Sequence, residues 1–270
     1  MIIKNVSKRY AGFTLVEMAI VLVILGFILA ALLLPLRTQR ELVFQSQTLT
    51  TLEIAKRALL GFAQSQGRLP CPATATSNVD PGSLGKENPL GGTRNVTPPV
   101  AVPNCAAYAG YLPAATLGLQ PVDGSGFVLD AWNNRIRYAI TSSNNSAAIV
   151  NGAPCGGDTA PDFTTAGNMA TVGLACLAPD LRVCVTSAVV SCTATINLTN
   201  NAVAVIYSTG ITGSLASGGA DENANLDNNA VFVSHDPSAT GAFNGEFDHL
   251  VVWISPFVLY NAMIEAGQLH

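Results

Sequence analysis

Lys8-Arg9-Tyr10-Ala11-Gly12-Phe13-Thr14-Leu15-Val16-Glu17 opens an almost unbroken apolar run that extends from Phe13 to Leu36. About 20 apolar residues suffice for a helix to cross the hydrocarbon core of a bilayer, so residues 13–36 are predicted to be a transmembrane helix. Lys4, Lys8 and Arg9 precede the run. Those cations place residues 1–12 on the cytoplasmic side, although Arg37 and Arg40 just beyond the run make the bias modest. A secretory signal has a shorter apolar core followed by a small-x-small cleavage site. Here the late part of the run reads Ile28-Leu29-Ala30-Ala31-Leu32, so the anchor is expected to stay.

Glu17 does not belong in a plain anchor. An ionisable side chain at the centre of a membrane helix costs about 2.5–3.5 kcal/mol on insertion scales. One reading puts Glu17 at the interface, with its carboxylate reaching out to water. The other gives it a cationic partner: a cut between Gly12 and Phe13 would create an α-amine one helical turn away. In a staggered array, the amine of one subunit would meet Glu17 of its neighbour. That pairing neutralises two charges at once and fixes the register between helices.

The segment from Lys8 to Glu17 resembles the processing site of type IV prepilins and type II secretion pseudopilins. The resemblance implies that a membrane prepilin peptidase cuts after Gly12 and methylates the new N-terminal residue, Phe13. It implies that Glu17 drives docking into a filament. The family's mid-helix glycine falls on Gly26, and its helix-distorting proline is Pro35, one residue later than usual. The match covers roughly the first forty residues.

Beyond Pro35 the pattern turns amphipathic. Leu42, Leu49, Leu52, Ala55, Leu59 and Phe62 recur at sums of three and four, and Gly67 and Pro70 end the run. Residues 13–66 thus read as one long helix, transmembrane over 13–36 and amphipathic over 37–66, about 75 Å long at 1.5 Å per residue. Gly26 and Pro35 are the places where it would bend or melt locally.

Residues 67–270 form the expected periplasmic head. They hold six Lys/Arg against fourteen Asp/Glu, a net of −8, which disfavours nucleic-acid binding. Pro, Gly and Asn from Leu69 to Pro103 read as a long loop. Phe127–Trp132 and Arg135–Ile140 flank Asn133-Asn134 as a hairpin; the stretch Asp130 to Asn134 is similar to a segment of major pseudopilins. Further strands are expected at 181–186, 202–208, 230–234 and 247–254. Ser255-Pro256 then starts a terminal helix with Phe257, Tyr260 and Ile264 on one face. The fold class is α+β: a long N-terminal helix packed on an antiparallel sheet, with long loops stapled by disulfides.

Cys71, Cys105, Cys155, Cys176, Cys184 and Cys192 all follow the apolar run, and their closest spacing is eight. That spacing matches no zinc or redox motif, and an even count beyond a membrane anchor suggests disulfides in an oxidising compartment. Six cysteines allow fifteen pairings. Sequential pairing (71–105, 155–176, 184–192) is the expectation, because short loops close at low entropic cost.

Asp221, Asn223, Asn225 and Asp227 alternate oxygen ligands and resemble a flexible Ca²⁺ loop, but lack an EF-hand's glycine and terminal glutamate. The alternative is a solvated polar loop. Major pseudopilins bind calcium in a late loop, so the resemblance implies Ca²⁺ as the one cofactor to consider. His235-Asp236 and Asp248-His249 are the only catalytic-looking pairs, and no nucleophile elbow, zinc helix or phosphate loop accompanies them. An enzyme is therefore not expected.

The sequence reads as a filament subunit of a type IV pilus or a secretion pseudopilus, a minor one given the bulk of its head. The second reading is an adhesive or substrate-binding tip subunit. The resemblance implies other pilin or pseudopilin subunits, the prepilin peptidase and an inner-membrane assembly platform as partners. It also implies a course from the inner membrane to a periplasmic or surface filament.

Overall fold

The computed structural model describes residues 12, 14–75, 84–89, 93–96, 100–103, 105–145, 147–156, 160–187, 192, 196–213 and 218–269, with the side chains of 30–38, 93–96 and 100–103 excepted. The chain divides into two compact units, one ending at Phe44 and one spanning Gln45–His270. Helix α1 (Leu15–Gln66) contributes to both and runs without interruption past Gly26 and Pro35, where a bend or melt was expected.

In the first unit, every large apolar side chain from Leu15 to Leu29 is exposed. A helix that is apolar all round normally belongs in a membrane or among other helices. Among the described residues no helix is long and apolar enough to cross a membrane; residues 30–38 of the expected span are not among the described side chains.

The second unit begins inside α1, not at residue 67, because the last part of the helix belongs to the head core. Thr48, Leu52, Ala55, Leu59 and Ala63 are buried, in steps of four and three. Leu52, Ala55 and Leu59 of the expected face lie in this stripe, whereas Leu49 is exposed and Ala63 rather than Phe62 closes it.

After α1 come a hairpin of β1 (Thr93–Val96) and β2 (Val100–Pro103), then β3 (Ala109–Tyr111), α2 (Ala114–Leu117) and β4 (Arg137–Ile140). The hairpin lies within the stretch read as loop. A short pair, β5 (Ile149–Val150) and β6 (Ala153–Pro154), precedes α3 (Asn168–Val172). Next are β7 (Leu181–Cys184), β8 (Asn197–Ala202), β9 (Ala204–Ser208), α4 (Ala220–Ala224), β10 (Val231–Val233), β11 (Leu250–Ile254) and α5 (Pro256–Glu265).

The main sheet has the order β11-β9-β4-β3 and is antiparallel throughout. Its central strand β9 is buried along its whole length, and the period-2 alternation explains how. Ala204 and Ile206 face a core shared with α1 and α5, through Leu52, Leu59, Leu259 and Met263. Val205 and Tyr207 face a second core with Leu181, Val183 and Phe232. That core belongs to a second sheet, β10-β7-β8, in which β10 and β7 run parallel.

The strand expected at 202–208 is therefore two strands in different sheets. They meet at Val203, whose N–H donates to Ile254 O and whose carbonyl accepts from Thr141. The hairpin expected about Asn133-Asn134 is present in reduced form: Leu129 and Arg135 make an isolated antiparallel bridge, the Ile136 N–H donates to Val128 O, and residues 130–134 form the turn, with Asn133 at φ 68°. Asp130 Oδ1 accepts from the N–H groups of Trp132 and Asn134, and its other oxygen accepts from Ser208 Oγ at 2.6 Å. Burial raises the pKa of Asp130 against those bonds.

Cys71–Cys105, Cys155–Cys176 and Cys184–Cys192 are paired, with Cα separations of 5.4, 5.9 and 5.6 Å. Beside the first, Arg68 and Glu87 form a buried two-pronged ion pair with both bonds at 2.8 Å. Ser255 caps α5 and Pro256 occupies its first turn. The helix buries Pro256, Leu259 and Met263, whereas Phe257 and Ile264, expected on a shared face with Tyr260, stand in solvent.

Candidate functional site

Two places carry the residues that the sequence singles out. The first is the start of α1. Gly12 is exposed, and a Cβ built there would meet nothing within 4 Å among the described residues. Among the described residues nothing beside Gly12 or Gly26 demands glycine. Residues 1–11 and Phe13 lie outside the described residues.

Thr14 and Glu17 stand three apart across the first turn. The Glu17 N–H donates to Thr14 Oγ1 at 3.2 Å, and the Thr14 N–H donates to Glu17 Oε2 at 3.3 Å. This is a reciprocal capping box, which satisfies two of the N–H groups that a helix start leaves without partners. Thr14-Leu15-Val16-Glu17 carries the S/T-x-x-E signature of such a box. The signature is contiguous, so this second role of Glu17 is legible in the sequence beside its charge.

The second place is the region of α4. Asp221, Asn223, Asn225 and Asp227 do not converge there. Asp221 Oδ1 accepts from the Ser187 N–H at 2.6 Å and from Thr186 Oγ1, while Oδ2 faces Asn244 and His235. Burial works to raise the Asp221 pKa, but the bonds from Ser187, Asn244 and Thr186 outweigh it and the net shift is downward. Asn223 donates to Gly218 O, and Asp227 accepts from Asn229. Asn225 is buried, gripping both the N–H and the carbonyl of Val233. Residues 220–224 are a helical turn, which sends alternate side chains to different sides.

Glu222, Asp248 and His249 come together instead, with ligand atoms within 4.8 Å of one another. Glu222 accepts the Asp248 N–H at 2.9 Å. Asp248 in turn accepts the Thr212 N–H at 2.8 Å and the Thr212 hydroxyl at 3.1 Å. Burial pushes the Glu222 carboxyl up to about 7, helped by the neighbouring Asp248 and Glu246 charges and opposed by the Asp248 N–H bond. Burial also raises Asp248.

His249 is only 2 % exposed, and burial first, then Arg137, push its pKa down to about 4. Its Nδ1 lies 3.1 Å from Asn225 Nδ2. The Val233 bonds fix which end of the Asn225 amide is nitrogen, so Nδ1 accepts and the ring proton sits on Nε2. A metal-bound histidine presents a bare nitrogen to the ion and donates from the other. His249 does the reverse, so the trio is not arranged as a histidine-containing metal centre.

The two catalytic-looking pairs dissolve on inspection. Asp248 turns to Glu222 and Thr212, not to the His249 ring. His235 Nδ1 faces the backbone carbonyl of Asp236, and its ring stacks on Phe247 with centroids 3.9 Å apart. Glu222 lies in the same acidic stretch, between Asp221 and Asn223, and nothing in the sequence links it to Asp248.

Compared with known proteins, the chain matches at its start. The family model of the prokaryotic N-terminal methylation motif fits residues 7–33, which include Gly12, Phe13, Glu17 and Gly26. The chain therefore carries the prepilin-type signature for cleavage and N-methylation. No match was found among curated proteins or among solved structures.

Proposed function

We propose that this chain is a type IV pilin-like or pseudopilin filament subunit, cut after Gly12 by a prepilin peptidase and methylated on Phe13. The observation that carries this reading is the methylation motif over residues 7–33. The all-round exposure of apolar side chains from Leu15 to Leu29 supports it, since such a surface needs lipid or neighbouring helices. So does Gly12, a glycine that none of the described neighbours requires and a peptidase would.

In this reading the first helix anchors the precursor in the inner membrane with the leader in the cytoplasm. After processing it packs among the helices of other subunits, and the disulfide-bonded head faces the periplasm or the outside. The bulk of the head favours a minor subunit. The chain acts by assembly and not by catalysis. The test is Gly12→Val, which should leave an uncleaved membrane form absent from sheared filaments. A Gly12→Val chain with normal mobility and normal abundance in that fraction would overturn the proposal.

A further inference from the structure

Glu222 and Asp248 bring carboxylate oxygens within 4.8 Å of one another inside the head. Glu222 is 2 % exposed. One hydroxyl, Thr212 Oγ1, lies 3.1 Å from Asp248 Oδ1 and 3.5 Å from Glu222 Oε2. Space for the pair is left by two glycines: a Cβ at Gly210 would collide with the Asp248 carboxylate and one at Gly218 with Glu222. Gly210 also holds φ +61°, a conformation that glycine adopts without cost.

Among the described residues, neither carboxylate forms an ion pair with a lysine or arginine. Nor does His249 supply the missing charge. Its ring is buried with Nδ1 accepting from Asn225, and Nε2 has no hydrogen-bond partner. A neutral imidazole thus sits beside the pair. Two like charges this close at a buried site repel strongly, whereas one proton between them makes a hydrogen bond.

We propose that Glu222 and Asp248 share a single proton and act as a pH-responsive clasp joining α4, the turn at 208–213 and the lead-in to β11.

The surrounding groups push in one direction. From the β11 lead-in, Glu246 adds negative charge next to both carboxyls, while its own carboxylate accepts from Thr240. On α4, Asp221 is turned away toward Ser187, Asn244 and His235. The turn offers only the uncharged Thr212. Arg137 of β4 acts on His249, where it favours the neutral ring. The upward shift of Glu222 to about 7 follows from burial together with this arrangement.

The sign of the linkage is set by where the proton is held. The closed clasp keeps it up to about pH 7, whereas an opened clasp releases it near the ordinary carboxyl value of about 4.5. Opening should therefore become up to about tenfold easier per pH unit between those values and level off above them.

The test is hydrogen exchange of the Thr212 and Asp248 amides, both donors in the clasp, in the full chain in detergent micelles. Wild type is compared with Glu222→Gln. Glutamine keeps the shape, can donate to Asp248 and can accept its N–H, but binds no proton. Taking the ratio of the two opening constants cancels the groups that titrate on opening independently of the pair. The ratio should rise about fortyfold from pH 5 to pH 7, gain about twofold more by pH 8 and then stay level. A ratio independent of pH would overturn the clasp.

A second measurement needs no variant: the side-chain carboxyl ¹³C shifts of Glu222 and Asp248 followed with pH. Sharing requires one proton of the pair to leave near neutral pH. Both carboxyls titrating in the ordinary range of about 3–5 would equally reject it.

Discussion

Glu17 has two jobs on offer, and one pair of substitutions separates them. In the structure it closes a capping box with Thr14, through bonds of 3.2 and 3.3 Å. In a filament it would also neutralise the α-amine of a neighbouring Phe13. Glutamine serves a capping box as well as glutamate does, but it cannot neutralise an amine. Loss of a cap costs about 1 kcal/mol, roughly fivefold in an equilibrium. Loss of one side of a buried ion pair costs about 3–5 kcal/mol, two to three decades. The assay is the amount of processed subunit in sheared filaments relative to that left in the membrane. If charge pairing dominates, Glu17→Gln and Glu17→Ala both fall by two to three decades, while Thr14→Ala falls only about fivefold. If the carboxylate merely caps the helix, Glu17→Gln matches wild type and Glu17→Ala behaves like Thr14→Ala. Wild-type incorporation of Glu17→Gln would refute the assembly role.

Three further outcomes are expected of the head, residues 45–270. Arg68→Leu should destabilise it by about 3–5 kcal/mol in urea, because Glu87 stays buried without its guanidinium; adding Glu87→Met should recover most of that loss. With His249 lowered to about 4 and Glu222 raised to about 7, the former loses stability as pH falls from about 6.5 and the latter loses it as pH rises from about 4.5. These opposed slopes give a flat stability profile between pH 4.5 and 6.5. Glu222→Gln should unmask the histidine slope, a fall on acidification of up to about 1.4 kcal/mol per pH unit. Calcium should leave the melting temperature unchanged, since Asp221, Asn223, Asn225 and Asp227 are each engaged elsewhere. A saturable rise following RT ln(1 + [L]/Kd) would show that they re-form around the ion.

Local chemistry and the sequential cysteine pairing were legible in the sequence, and the partners of helix faces and strands were not. The start of α1 could be read because its signature is contiguous. Ser255-Pro256 announced α5 for the same reason. The buried face of α5 lies one step from the expected one, and Leu49 falls outside the α1 stripe, since Leu49, Phe257 and Ile264 are as apolar as the residues that pack. Only the tertiary partner decides which stripe of an apolar-rich helix is buried. Strand β8 reads Asn-Leu-Thr-Asn-Asn-Ala and escaped notice, because an edge strand of a secondary sheet needs few apolar residues. The clasp was invisible for another reason. Glu222 and Asp248 are 26 residues apart, and nothing in either segment marks its partner.

The central claim is that the chain is cut and modified at one peptide bond before it assembles. Intact-mass and N-terminal peptide mass spectrometry of the protein taken from sheared filaments tests it most directly. The account requires a mature chain that begins with N-methylated Phe13. A chain that retains Met1, or one cut after Ala31 as a secretory signal would be, would contradict it.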